Sequence, residues 1–136
     1  MISDIAHVCL NVKDLNRTIP FYLKLGFKPK FQLTRNGSLY GIYLQIGTSS
    51  FIEIFEDKHL ETPVNTGFVH FCLETKNIDT LIDMLKREKI EHTPKKLGCD
   101  HTWQIWLKDP DGNNFEVHQY TEESLQFKGG IVEADW

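Results

Sequence analysis

The sequence predicts an α+β chain made of two tandem βαβββ modules, and three observations carry that expectation. The first is an internal repeat. Shifted by 63 residues, Ile5-Ala-His-Val-Cys-Leu-Asn-Val-Lys-Asp-Leu lies over Phe68-Val-His-Phe-Cys-Leu-Glu-Thr-Lys-Asn-Ile, and Phe51-Ile-Glu-Ile-Phe over Asn114-Phe-Glu-Val-His. The second is the spacing inside each copy: the His-to-Glu interval is 46 residues in both, from 7 to 53 and from 70 to 116. The third is that each half reads strand, helix, strands in the same order. The modules are placed at about 1–66 and 67–120, within a single domain of residues 1–136 that ends in a tail, 121–136.

Ile5–Val12 alternates and is β-branched, which predicts a strand. Asn16–Leu25 predicts a helix, with Leu15, Ile19, Tyr22 and Leu25 on one side, Gly26 as the stop, and Pro20 removing one backbone bond inside it. Phe27–Thr34, Leu39–Ile46 and Ser50–Phe55 follow as strands. Asn36-Gly37 between the first two is a hairpin signal. In the second half, Phe68–Thr75 predicts a strand and Ile78–Glu88 a helix, with Ile78, Leu81, Ile82 and Leu85 at helical spacing and Asn77 as N-cap. Thr102–Lys108 and Asn114–Tyr120 are strands joined by Asp109-Pro-Asp-Gly-Asn, a run of turn-forming residues. The tail carries Gly129-Gly130 and is left open among three states: folded over a cavity mouth, packed on a partner subunit, or disordered.

Composition bounds the function classes. The chain has 136 residues, 40% hydrophobic and 25% charged, as a globular domain has. A formal charge of −4 without a basic run argues against nucleic acid as the partner. No apolar run approaches the roughly 18 residues of a membrane span. The N-terminal Met1-Ile-Ser-Asp-Ile-Ala-His lacks a basic n-region and an h-region, and three cysteines are an odd number for a disulfide framework. These readings point to a cytosolic setting.

Side chains alternate across a strand, so parity assigns faces. Ala6, Val8, Leu10 and Val12 form an apolar face suited to lie under the helix, and His7, Cys9 and Asn11 take the other. Val69, Phe71 and Leu73 repeat the apolar face, with His70, Cys72 and Glu74 opposite. Ile52 and Ile54 oppose Glu53; Phe115 and Val117 oppose Glu116 and His118. All four repeated polar residues therefore occupy the sheet face that the helices leave free. If the two sheets curl toward one another, two imidazoles and two carboxylates meet, which is the donor set of a borderline divalent cation.

At these residues the chain resembles the vicinal-oxygen-chelate superfamily, the glyoxalase/extradiol-dioxygenase fold. The resemblance covers about residues 4–120. It rests on His7-Val-Cys-Leu-Asn-Val-Lys-Asp-Leu, Phe21-Tyr22, Leu25-Gly26-Phe27, Ile52-Glu-Ile, Val69-His-Phe and Asp109-Pro-Asp-Gly-Asn-Asn-Phe-Glu116. It implies a U-shaped, mostly antiparallel sheet around a cavity, with helices outside. It implies a divalent metal ion (Zn, Ni, Co, Mn or Fe) held by His7, Glu53, His70 and Glu116. Homodimers, with modules paired within or between chains, are also common in the family. The full His/Glu/His/Glu set resembles that of glyoxalase I; extradiol dioxygenases and fosfomycin-modifying enzymes use two His and one Glu, which would free Glu53 as a base. Asn11 stands where bacterial glyoxalase I carries an Arg that holds glutathione, and Asp57 where it carries an Asn, so capture of a glutathione carboxylate should be weaker.

The reading that follows is a metal-dependent lyase or isomerase of the lactoylglutathione-lyase type, acting on a small molecule. A cation chelates neighbouring oxygens and polarises a carbonyl, while Glu116 first, or Glu53 second, abstracts the adjacent proton. Asn11, Phe51, Phe55, Trp103, Trp106 and His118 are expected to line the substrate pocket. Cys9 and Cys72 read as small fillers, and His59 and His92 as surface loop residues. The alternatives are a ring-cleaving Fe(II) dioxygenase and a non-catalytic small-molecule binding or resistance protein of the same fold.

Overall fold

The computed structural model describes residues 6–61 and 69–132. The chain divides into two compact units, Met1–Thr66 and Gly67–Trp136.

In the first unit, β1 (His7–Val12) is followed by α1 (Leu15–Lys24), β2 (Lys28–Arg35), β3 (Ser38–Ile46) and β4 (Ser50–Glu56). The sheet order is β1-β4-β3-β2, with β1 parallel to β4 and the other pairs antiparallel. The helix begins because Asp14 caps it, its carboxylate accepting the Asn16 N–H at 2.9 Å. Pro20 lies inside the helix. The bond it cannot donate would have gone to Asn16, an exposed residue whose carbonyl water can serve. Leu15, Thr18 and Tyr22 are buried from the helix, over Leu10, Val12, Ile42, Leu44, Ile52 and Ile54 of the sheet. Each large apolar side chain so buried contributes roughly 1.5–3 kcal/mol. The β2–β3 hairpin turns at Asn36 and Gly37, both at positive φ (51° and 77°), the turn expected of that dipeptide.

The second unit repeats the plan: β5 (Phe71–Glu74), α2 (Ile78–Arg87), β6 (Lys96–Leu97), β7 (Trp103–Lys108) and β8 (Asn114–Gln119), in sheet order β5-β8-β7-β6. Again the first and last strands pair in parallel. Asn77 caps α2, accepting the Thr80 N–H at 3.0 Å. Ile78, Ile82 and Leu85 are buried against Phe71, Ile105, Leu107, Phe115 and Val117. In the β7–β8 turn, Asp109 is 4% exposed and accepts the N–H groups of Asp111 and Asn113 on one oxygen, both at 2.9 Å.

The duplication extends to a contact that links helix to sheet. The Leu15 N–H donates to the Glu56 carboxylate at 3.1 Å, and the Ile78 N–H donates to the Gln119 amide oxygen at 2.7 Å. Both pairs are 41 residues apart and related by the 63-residue shift. A helix N-terminus leaves its first N–H groups unsatisfied, and here the last strand of each sheet supplies the acceptor.

The structure departs from the sequence expectations at several points. Helix α1 starts at Leu15 rather than Asn16 and ends at Lys24, and α2 starts at Ile78 as expected but ends at Arg87. Strand β5 starts at Phe71, so His70 precedes it, whereas His7 opens β1. Ile5, Phe68 and residues 133–136 lie outside the described residues. The third strand of the second module is the two-residue β6, too short to leave a periodic signal. His92 makes a β-bridge to Leu107 and is partly buried rather than free in a surface loop. The tail is ordered at its start: Leu125–Lys128 form the short helix α3. The hydroxyls of Thr121 and Ser124 both donate to the His101 carbonyl, at 2.7 and 3.1 Å, and pin this segment to the loop before β7.

Candidate functional site

Strand register determines which side chains share a face. In the first unit, Cys9 is the partner of Glu53 on one side, and Tyr43 is its partner on the other. His7 pairs with Phe51 and Asn11 with Phe55 in the same ladder. His7, Cys9, Asn11, Tyr43, Phe51, Glu53 and Phe55 thus share the face away from α1. The His7 Nε2 lies 3.5 Å from Glu53 Oε2, and its ring meets Tyr43 edge-on at 5.5 Å. Phe31 stacks on the other side of Tyr43, with centroids 4.3 Å apart. Close to Glu53, the Cys9 thiol is pushed up to about 11, first by burial and then by hydrogen bonding to and the charge of Glu53. The Tyr43 phenol is raised for the same reasons, burial leading and Glu53 adding to it.

The second unit builds the same arrangement. Cys72 and Trp106 flank Glu116 in register, and Glu74 and Gln104 flank His118. His70 Nε2 lies 3.6 Å from Glu116 Oε2, and its ring meets Trp106 edge-on at 4.6 Å. The 63-residue shift carries Tyr43 onto Trp106, Cys9 onto Cys72 and Phe55 onto His118. That last exchange breaks the symmetry. His118 Nε2 reaches Glu116 Oε2 at 3.0 Å, and the imidazole is pushed up to about 10, by its hydrogen bond to Cys72 first and to Glu116 second, with burial opposing. Glu116 is 6% exposed, a carboxylate that burial would make costly without these partners.

The separations bear on whether these residues fit a metal. Two ligands of one tetrahedral ion, each about 2.0–2.2 Å from it, stand about 3.4 Å apart. The 3.5 and 3.6 Å imidazole-to-carboxylate distances match that spacing and exceed an ordinary N–H···O bond. The His70 Nδ1 is buried with no hydrogen-bond partner, so that ring has unused donor or acceptor capacity. Each unit therefore offers a nitrogen and an oxygen donor that fit a divalent cation.

Among the expected pocket residues, Asn11, Phe51 and Phe55 lie on the Glu53 face, and Trp106 and His118 on the Glu116 face. Trp103 does not. It shares parity with Ile105 and Leu107, on the helix side of the sheet, and its ring takes the Lys95 ammonium at 4.5 Å. The expectation for Trp103 is corrected by register alone: 103 and 106 differ by an odd number of residues, so the strand points them to opposite faces. Tyr43, the counterpart of Trp106 in the repeat, joins the Glu53 face, and Cys9 and Cys72 are exposed rather than packed as small fillers. A cavity of about 410 Å³ opens at the ends of β5 and β8, lined by Glu74, Lys76, Gln119, Tyr120, Thr121 and Phe127 among others. Tyr120 continues the face of Glu116 and His118, its ring 6.1 Å from that of His118.

Comparison with known proteins agrees with this architecture. The chain is 29% identical over 122 residues to a lactoylglutathione lyase of Arabidopsis thaliana, covering 83% of this chain and 43% of the relative. It thus spans less than half the length of that relative. It is 25% identical over 126 residues to the metallothiol transferase FosB of Staphylococcus epidermidis, covering 88% of this chain and 84% of that protein. The crystal structure of a glyoxalase family protein from Enterococcus faecalis superposes with a TM-score of 0.75 at 27% identity, over 85% of this chain and 97% of that one. The family model for the glyoxalase/bleomycin resistance protein/dioxygenase superfamily matches residues 4–117. The repeated βαβββ units, the paired His and Glu on their open faces and this match together establish that the chain belongs to that superfamily.

Proposed function

We propose that the protein is a metal-dependent lyase or isomerase of the glyoxalase type, with His7, Glu53, His70 and Glu116 as the ligands of one divalent cation. Two would come from a first module and two from a second, of the same chain or of a second copy in a homodimer. The observation that carries the reading is the repeated imidazole-to-carboxylate pair, 3.5 Å apart in one unit and 3.6 Å in the other, on equivalent strand positions. A bound divalent cation would supply Lewis-acid polarisation of a substrate carbonyl and hold a neighbouring oxygen beside it.

The two carboxylates differ in what surrounds them. One Glu116 oxygen is already engaged by His118, whose Nε2 lies 3.0 Å away. Glu53 is flanked in register by Cys9 and Tyr43, and Phe55 stands at the position that corresponds to His118. With that oxygen engaged, Glu53 is the carboxylate left open to take the proton next to the carbonyl, and Glu116 holds position. Phe51 and Phe55 stand two residues before and after Glu53 on the same strand face. Asn11, two positions beyond Cys9 on that face, offers an amide to a substrate oxygen.

Incubation of zinc-, nickel-, cobalt- and manganese-loaded protein in deuterated buffer with a hemithioacetal and with an epimerisable acyl-CoA tests the proposal. Deuterium should appear at the carbon next to the carbonyl, and Glu53→Gln should lower the rate by about 10²–10⁴-fold. Absence of exchange from either substrate with every metal would sink the reading, and full exchange in Glu53→Gln would take the base role from that residue.

A second reading is favoured by coverage: the match to the metallothiol transferase FosB takes in most of that protein, whereas the match to the plant lyase does not. In a transferase of that type the ligands are His7, His70 and Glu116, with Glu53 outside the set. Metal-dependent consumption of a thiol in the presence of an epoxide would support it.

A further inference from the structure

The break in symmetry at His118 has a chemical consequence. Cys72, Glu116 and His118 bring one sulfur, one oxygen and one nitrogen donor within 4.8 Å of one another, all inside the second unit. The first unit has the sulfur and the oxygen, in Cys9 and Glu53, but Phe55 stands where His118 would be. We propose that Cys72, Glu116 and His118 form a seat for a thiophilic divalent cation, of the zinc or cadmium class, held by the second unit alone. The seat uses neither His7 nor Glu53. It shares Glu116 with the proposed lyase site, and His70 too where that ring completes it, so the two compete for those donors.

Four features argue for it. Cys72 and Glu116 are partners in adjacent parallel strands, and His118 follows Glu116 by two residues, so the sheet backbone projects all three donors from one face. His118 and Glu116 are already in contact at 3.0 Å, with side-chain exposures of 13% and 8%, so the carboxylate and imidazole are pre-positioned by burial. Cys72 is exposed, which gives an incoming ion a path to the sulfur. His70, with its Nε2 at 3.6 Å from the same Glu116 oxygen and its Nδ1 unpartnered, stands beside the seat as a fourth donor. Sulfur, nitrogen and carboxylate oxygen in tetrahedral number suit zinc. A thiolate selects against manganese and magnesium, which prefer oxygen. On binding, the Cys72 S–H proton and the His118 Nε2 proton both leave to solvent, and sulfur–metal and nitrogen–metal bonds replace them, with no change of oxidation state.

Cobalt(II) is the probe, because a thiolate ligand adds an intense near-ultraviolet charge-transfer band that imidazole and carboxylate do not. Full-length apoprotein titrated with cobalt should show that band at one equivalent, and zinc, but not manganese, should bleach it. Cys72→Ser should abolish the band, while Cys9→Ser and Cys99→Ser retain it. His118→Phe, which copies the first unit, should weaken cobalt affinity at least tenfold with the circular dichroism spectrum unchanged. His7→Ala and Glu53→Gln, which remove the lyase site's other half, should leave the band intact. Cobalt binding without the band, a band insensitive to Cys72→Ser, or a band lost in His7→Ala would each overturn the proposal. Deuterium exchange that fails in wild type while the band persists would count against the lyase reading and leave this one standing.

Discussion

Glu53 and Glu116 hold the same place in their modules and differ in what surrounds them. The first has Phe55 two residues on along its strand face and the second has His118, which reaches its carboxylate at 3.0 Å. The ring of Phe55 depends on a glycine. A Cβ on Gly41 would come within 2.6 Å of the Phe55 Cδ1 and 2.9 Å of the Ile54 carbonyl, so nothing larger fits between β3 and that ring. Gly41→Ala should destabilise the protein by about 1–3 kcal/mol, read as a lower denaturant midpoint with an unchanged m-value. A midpoint equal to wild type would mean that the ring moves freely and is no fixed wall. Asp109 is a second such point. It accepts two backbone N–H groups and the Asn113 amide while 4% exposed, so Asp109→Ala should cost about 1–3 kcal/mol by the same measurement. The turn at Asp-Pro-Asp-Gly-Asn was legible in the sequence, and the structure adds the burial and acceptor role of Asp109. That of Gly41 was not, because a close approach across strands leaves no mark on the local sequence.

At the scale of elements, each module seats its helix by the same two devices, an Asx cap and an acceptor from its last strand. Gln119→Ala leaves the Ile78 N–H without its acceptor and should lower stability by about 1 kcal/mol, with the loss of amide-exchange protection concentrated in Ile78–Leu81. Loss spread evenly over the sheet would point to packing instead. The tail helix responds to acid. Burial works to raise the Asp100 carboxyl, but hydrogen bonds from Gln126 at 2.5 Å and Thr102 at 3.2 Å win and hold it below its ordinary value of 3.8. Because the folded-state value is depressed, this contact contributes stability above the unfolded value, and the contribution is lost as pH falls through the folded one. The Gln126 side-chain amide resonances should therefore shift on acidification below pH 3.8, and Asp100→Asn should abolish the shift. The helices and long strands were legible because their apolar periods are long. Strand β6 has two residues and α3 four, and both exist because of partners elsewhere: β7 for one, the loop at Asp100–Thr102 for the other.

At the scale of the molecule, cation binding and folding are linked. An ion bound by the native state but not the unfolded chain adds about 2.7 kcal/mol at a free concentration one hundred times its Kd. Zinc should raise the melting temperature, and a chelator should return it to the apo value. A melting temperature indifferent to zinc would mean that the donors of Glu53, Glu116 and their neighbours hold nothing. No helix among the described residues is long and apolar enough to cross a membrane.

The sequence by itself determined the duplication, the βαβββ order of each module, and the face on which His7, Glu53, His70 and Glu116 lie. Those follow from chain-local rules, the two-residue alternation of strands and the arithmetic of a repeat. Tertiary structure decided the rest: that Trp103 belongs to the helix side, that Tyr43 stands over Glu53 as Trp106 does over Glu116, and that His118 holds Glu116 while Cys72 closes on both. Which strands become neighbours, and in what register, depends on how distant segments pair, and only that pairing turns residues far apart in the chain into a shared set of donors.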